Sequence, residues 1–141
     1  MKIWLSYRFR GADLAALRLQ LNEITALLEK KGYRVFTMIK DIQNWDANAM
    51  PKAEAVRKAY DMCKKCDAAL CIYSTLEASE GRGWDAGYFA GMNKPTIMAI
   101  HKSVSSEYTE ALYTENTANK IHKLPGVIRY ETFQDIANAL P

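Results

Sequence analysis

The sequence predicts an α/β protein, a single-domain three-layer α/β/α sandwich built on a five-stranded parallel sheet in the order 2-1-3-4-5. Three observations carry this expectation. Five short apolar, β-prone runs recur along the chain, helical stretches separate them, and 141 residues without an interdomain linker, repeat or low-complexity tract suit one domain with a real core.

The elements follow in order. Lys2 to Ser6 is the first strand, and it ends in the loop Tyr7-Arg8-Phe9-Arg10-Gly11. Asp13 is placed to cap a helix from about Leu14 to Lys31, whose Leu14, Leu17, Leu21, Ile24, Leu27 and Leu28 keep helical spacing, and Gly32 is placed to stop it. Tyr33 to Met38 reads as the second strand. Ile39 to Met50 lacks a clear period and reads as a mobile loop able to close over a ligand. Pro51 stands where a first helical residue belongs, Lys52 to Lys65 follows as a helix, and Ala68 to Tyr73 is strand three. Pro95 precedes strand four, Thr96 to Ile100. Ser106 to Lys120 reads as one helix, Val127 to Tyr130 as strand five, and Thr132 caps a last helix through Ile136 and Leu140.

Composition narrows the function classes. A hydrophobic share of 49% and a charged share of 25% are those of an ordinary globular protein, and a net charge of +3 suits anionic small molecules without a Lys/Arg track for a nucleic-acid polymer. No apolar run approaches the ~18 residues of a membrane span. Three cysteines, an odd number, fit a reducing compartment, so the expectation is a cytoplasmic protein without membrane association. Cys63-Lys64-Lys65-Cys66 sits at a helix C-terminus, where the dipole disfavours a thiolate, and no paired spacing with His101 or His122 suggests a metal site.

In a parallel sheet of this order, ligands bind beyond the carboxyl ends of the strands, at the switch point between strands one and three. The loops that meet there are Tyr7 to Gly11 and Ser74 to Gly83. Ser79-Glu80-Gly81-Arg82-Gly83-Trp84-Asp85-Ala86-Gly87 runs from the second loop into a helix. Glycines at a helix start let an anion reach free backbone N–H groups at the positive end of the dipole, Ser79 adds a hydroxyl, and Asp85 follows about one turn later. The same spacing also reads as a smooth face, Gly83, Gly87 and Gly91 packing on the sheet, with Asp85 solvated. Arg8 and Arg10 read either as phosphate ligands or as solvated loop residues. Trp45 and Trp84 read either as base-stacking platforms or as packing residues.

The pattern Ser79-x-Gly81-x-Gly83-Trp84-Asp85-x-Gly87, preceded by Cys66-Asp67 and the strand AALCIY, resembles the nucleoside 2-deoxyribosyltransferase superfamily, and most of all its branch of 2′-deoxynucleoside 5′-phosphate N-hydrolases. The resemblance in element order extends along nearly the whole chain. It implies a carboxylate nucleophile at Asp85 and 5′-phosphate binding by Ser79 with Gly81, Gly83, Arg8, Arg10 and Gly11; Tyr7 reads either as a group orienting the acid or as a ring packed on the loop. It also implies a nucleotide or nucleoside substrate, a homodimer, and no metal or organic cofactor. Two positions depart from the family: Asp85 stands where it has glutamate, and Ala59 stands where it has an aspartate serving the leaving base. Glu77 and Glu80 read either as ordinary polar loop residues or as a compensating carboxylate, and Trp84 as part of the substrate site. The expected function is therefore an N-glycosidase or N-deoxyribosyltransferase-like enzyme. The alternative is a non-catalytic nucleotide-binding module, or a TIR-like signalling module suggested by the short match WLSYRF.

Overall fold

The computed structural model describes residues 1–8, 12–46, 50–75 and 80–141. Five strands, β1 (Lys2–Ser6), β2 (Arg34–Thr37), β3 (Ala68–Tyr73), β4 (Thr96–His101) and β5 (Val127–Tyr130), form one sheet in the order 2-1-3-4-5. Every pairing is parallel, with Leu5 opposite Thr37 on one side and Leu70 on the other. All six residues of β3 are buried, as a central strand covered on both faces requires.

The α-helices among the described residues are α1 (Leu14–Lys30), α2 (Lys52–Lys65), α3 (Glu80–Gly91), α4 (Glu107–Thr114), α5 (Thr117–His122) and α6 (Phe133–Ala139). The Asp13 carboxylate caps α1 by accepting from the Ala16 N–H at 2.9 Å. At the other end Gly32 takes φ +91°, a backbone conformation that disfavours side chains, and so ends the helix. Leu17, Leu21, Ile24 and Leu28 are buried, each contributing about 1.5–3 kcal/mol by leaving water. They pack with Ile3, Leu5 and Tyr7 of the β1 segment and Ile136 of α6. On the opposite face Trp4, Cys63, Cys71, Phe89 and Met98 form a second core beneath α2 and α3. Alternation along β1 thus sends Ile3, Leu5 and Tyr7 to one layer and Trp4 to the other.

Two expectations about connections are corrected. The stretch after β2 is not structureless: Met38–Ile42 winds as a single π-type turn that buries Ile39 and Ile42, with Asp41 accepting from the Thr37 N–H at 2.7 Å. Asn44, Trp45 and Asp46 then follow in left-handed backbone, with φ of 46°, 57° and 58°. The single helix expected over Ser106 to Lys120 is two. Asn116 breaks it, because its side chain caps α5 at the Ala118 N–H and also donates to Lys94 O and Thr96 Oγ1. Asp135 closes the start of α6 by accepting from the Thr132 N–H at 2.9 Å.

Candidate active site

Asp85 lies in the second turn of α3, on the stripe that faces the sheet together with Arg82, Ala86 and Phe89. It is half-buried. Its Oδ2 accepts two hydrogen bonds from β1: Ser6 Oγ at 2.6 Å and Trp4 Nε1 at 3.0 Å. Both donors come from one strand because residues two apart in a strand share a face. The acid is therefore seated over the carboxyl half of β1, at the switch point where the sheet order passes between β1 and β3.

Burial raises the Asp85 carboxyl above the usual aspartate range, and the hydrogen bonds from Ser6 and Trp4 pull it partly back by favouring the charged form. A carboxylate in this setting is poorly solvated yet held in place. It can attack an electrophile, because little water must be stripped from it, or stabilise a positive charge that develops nearby.

The expected orienting role of Tyr7 does not match this geometry. Tyr7 belongs to the layer beneath α1, its phenol lies near Thr37 and Ile39, and burial pushes its ionisation well above the ordinary tyrosine value. Strand alternation is the reason: the side of β1 that meets Asp85 carries Trp4 and Ser6. Neither residue was singled out for this role by the sequence reading, which placed both in the first strand. A tryptophan and a serine two apart in an otherwise aliphatic strand are the signal that could have found them.

The glycine pattern also resolves. Gly81, Gly83, Gly87 and Gly91 are exposed, and beyond the helix's own backbone no atom of the described residues lies within 4 Å of where a Cβ would stand, so the reading as a smooth face packed on the sheet is overturned. These glycines leave the outer side of α3 open. Trp84 is 58% exposed and leans toward Tyr60 of α2, with ring centroids 6.0 Å apart, and Tyr60 continues to Tyr88 at 5.2 Å. Trp45 packs against the α1 layer with the Arg18 guanidinium 4.9 Å from its ring centroid. Arg8 is exposed, and its positive charge reaches Arg82. Ser79, Arg10, Gly11 and Glu77 lie outside the described residues, as does the side chain of Glu80.

Other groups contribute little chemistry. Cys63, Cys66 and Cys71 are free and buried, and burial pushes Cys66 up to about 11 and Cys71 up to about 12, the reverse of a reactive thiol. Among the described residues no group of three or more His, Cys, Asp or Glu is arranged to hold a metal ion, and no helix is long and apolar enough to cross a membrane. A shallow groove of about 400 Å³ runs between α3 and α4, lined by Ala90, Tyr108, Ala111 and Leu112 among others, and Asp85 is not part of its lining.

No sequence-family model and no curated protein sequence matches the chain. Solved structures do. The CMP N-glycosidase BcmB of Clostridium botulinum superposes with a TM-score of 0.64 at 18% identity, covering 98% of this chain and 96% of its own. A 2-deoxyribosyltransferase of Bacillus psychrosaccharolyticus gives 0.66 at 14% identity over 98% and 91%, and BlsM gives 0.68 at 16% over 98% and 85%. At such identities the likeness speaks for the architecture: this chain has the fold on which an N-glycosidase and a deoxyribosyltransferase are built, over nearly its full length.

Proposed function

We propose that the protein cleaves the bond between base and sugar of a nucleoside 5′-monophosphate, with Asp85 as the nucleophile. The observation that carries this reading is the half-buried carboxylate of Asp85, held by Ser6 and Trp4 at the ligand-binding edge of the sheet. Among the described residues both donors fall on Oδ2, which assigns attack to Oδ1. An electron pair of Oδ1 forms a bond to the anomeric carbon while the carbon–nitrogen bond breaks and its pair leaves with the base. Glu80 is the proposed proton donor to that base. Water, or a second base, then attacks the same carbon and frees the carboxylate.

The fold shared with a CMP N-glycosidase and a 2-deoxyribosyltransferase supports the chemistry, and the 5′-phosphate is assigned to Ser79, Gly81, Gly83, Arg8, Arg10 and Gly11. Open glycines at the start of α3 leave the room an anion needs to reach backbone N–H groups. Trp84, beside Asp85 and largely exposed, is assigned to the base. The active form is proposed to be a cytoplasmic homodimer joined along the groove between α3 and α4, where Tyr108 and Leu112 are exposed.

The experiment is release of free base, followed by chromatography, from ribo- and deoxyribonucleoside 5′-monophosphates, with Asp85→Asn alongside. Release that depends on Asp85 is the expected result. A folded protein that releases base from no member of the panel would leave a nucleotide-binding module as the better reading.

A further inference from the structure

Arg82 is among the largest fully buried side chains of the protein, with 2% of its surface exposed. Desolvating a guanidinium is costly, so its surroundings must return much of what water supplied. Arg82 Nη1 donates to Ile72 O at 2.9 Å, and its Cζ lies 4.0 Å from the centroid of the Tyr73 ring. The Tyr73 hydroxyl shares a hydrogen bond of 2.9 Å with the hydroxyl of Tyr113 on α4. The Cys71 thiol meets the Arg82 carbonyl at 3.9 Å. One side chain thus ties the first turn of α3 to the carboxyl end of β3 and, through Tyr73, to α4.

Arg82 and Asp85 are three residues apart on the same inward stripe of α3. The guanidinium is engaged with Ile72 O and Tyr73, whereas the Asp85 oxygen is engaged with Ser6 and Trp4. Aspartate is a short acid, so where its carboxylate arrives depends on where the helix backbone is held, and the first turn of α3 is held by Arg82.

We propose that Arg82 is a positioning residue: by locking the first turn of α3 onto Ile72 and Tyr73, it sets the reach of Asp85. The proposal rests on Asp85 being the nucleophile. Two variants test it, Arg82→Met, which removes the fork and the charge, and Arg82→Lys, which keeps the charge and loses the planar stack.

Amide hydrogen exchange reads the effect without reference to activity. Exchange over residues 81–86 is expected to speed by about tenfold in Arg82→Met while β3 and β4 stay protected. In steady-state kinetics kcat is expected to fall about 100-fold, since a displacement of about 1 Å carries a loss of that order. KM for a 5′-monophosphate should move by less than about threefold, and Arg82→Lys should recover part of both effects. Unchanged exchange, or faster exchange with wild-type kcat, would overturn the proposal. So would a loss confined to KM for phosphorylated substrates, which would make Arg82 a phosphate ligand. If the wild type releases no base, the proposed function fails by itself. Exchange and the NMR titration of the Asp85 carboxyl then decide whether Arg82 places the acid, an unmoved Asp85 signal counting against it. Should Arg82→Met not fold, Arg82→Lys carries the same readouts.

Discussion

Ser6 Oγ donates to Asp85 Oδ2 at 2.6 Å, joining the first strand to the site helix across 79 positions of sequence. With the Trp4 indole on the same oxygen, Oδ2 is the anchored carboxylate oxygen, and in the proposed function Oδ1 is the one that reacts.

Removing Ser6 therefore has a double effect. Ser6→Ala should lower kcat/KM about 10- to 100-fold, the equivalent of about 1.5–3 kcal/mol for a hydrogen bond to a charged group. The hydroxyl favours the charged carboxylate, so its loss should raise the Asp85 pKa further. The acidic limb of the pH profile of kcat/KM should then move to higher pH. Trp4→Phe should act in the same direction, and base release measured across pH checks both.

Asp85→Asn should abolish base release and stabilise the protein. Because folding raises the Asp85 pKa, the folded state binds the proton more tightly than the unfolded state, and stability is lost as pH rises from the ordinary aspartate value through the raised one. Asparagine retains one oxygen for Ser6 and Trp4 and carries no charge to desolvate. Its melting temperature should exceed that of the wild type at neutral pH, and the difference should shrink on acidification.

Gly126 faces backbone at close range, a Cβ there standing 2.7 Å from Tyr113 O and 2.9 Å from Thr114 Cα. Gly126→Ala should push α4 away from the start of β5 and cost about 1–3 kcal/mol. A lower urea midpoint at unchanged slope is the expected signature.

Leu112 is 61% exposed on α4, beside Tyr108 at 80%. If two copies meet on this face, Leu112→Glu should shift the protein to monomer in sedimentation velocity, because it places an unpaired charge in an apolar contact. A wild type that sediments as a monomer at all accessible concentrations would exclude the dimer.

Much of the fold was legible because it is written in local physics. The strand periods, the Asp13 cap and the Gly32 stop each depend on a few neighbouring residues, and parallel order followed from strands alternating with helices. The Asn116 break was not legible, since its reward lies in contacts with Lys94 and Thr96 about 20 positions away. The candidate acid could be picked from its place in the glycine-spaced loop, but not its partners.

The sequence by itself determined the α/β architecture and the strand order, because hydrophobic period, caps and turn residues act over one or two turns of chain, and its resemblance to a known family over Ser79 to Gly87 singled out Asp85 as the candidate acid. Only the tertiary structure decided that Ser6 and Trp4 hold the acid, that Tyr7 lies in the other layer, and that Arg82 is buried beneath the first turn of α3. Those outcomes depend on which face of β1 meets which helix. They are settled when the two layers close on the sheet, where strand alternation and burial assign each side chain to one side.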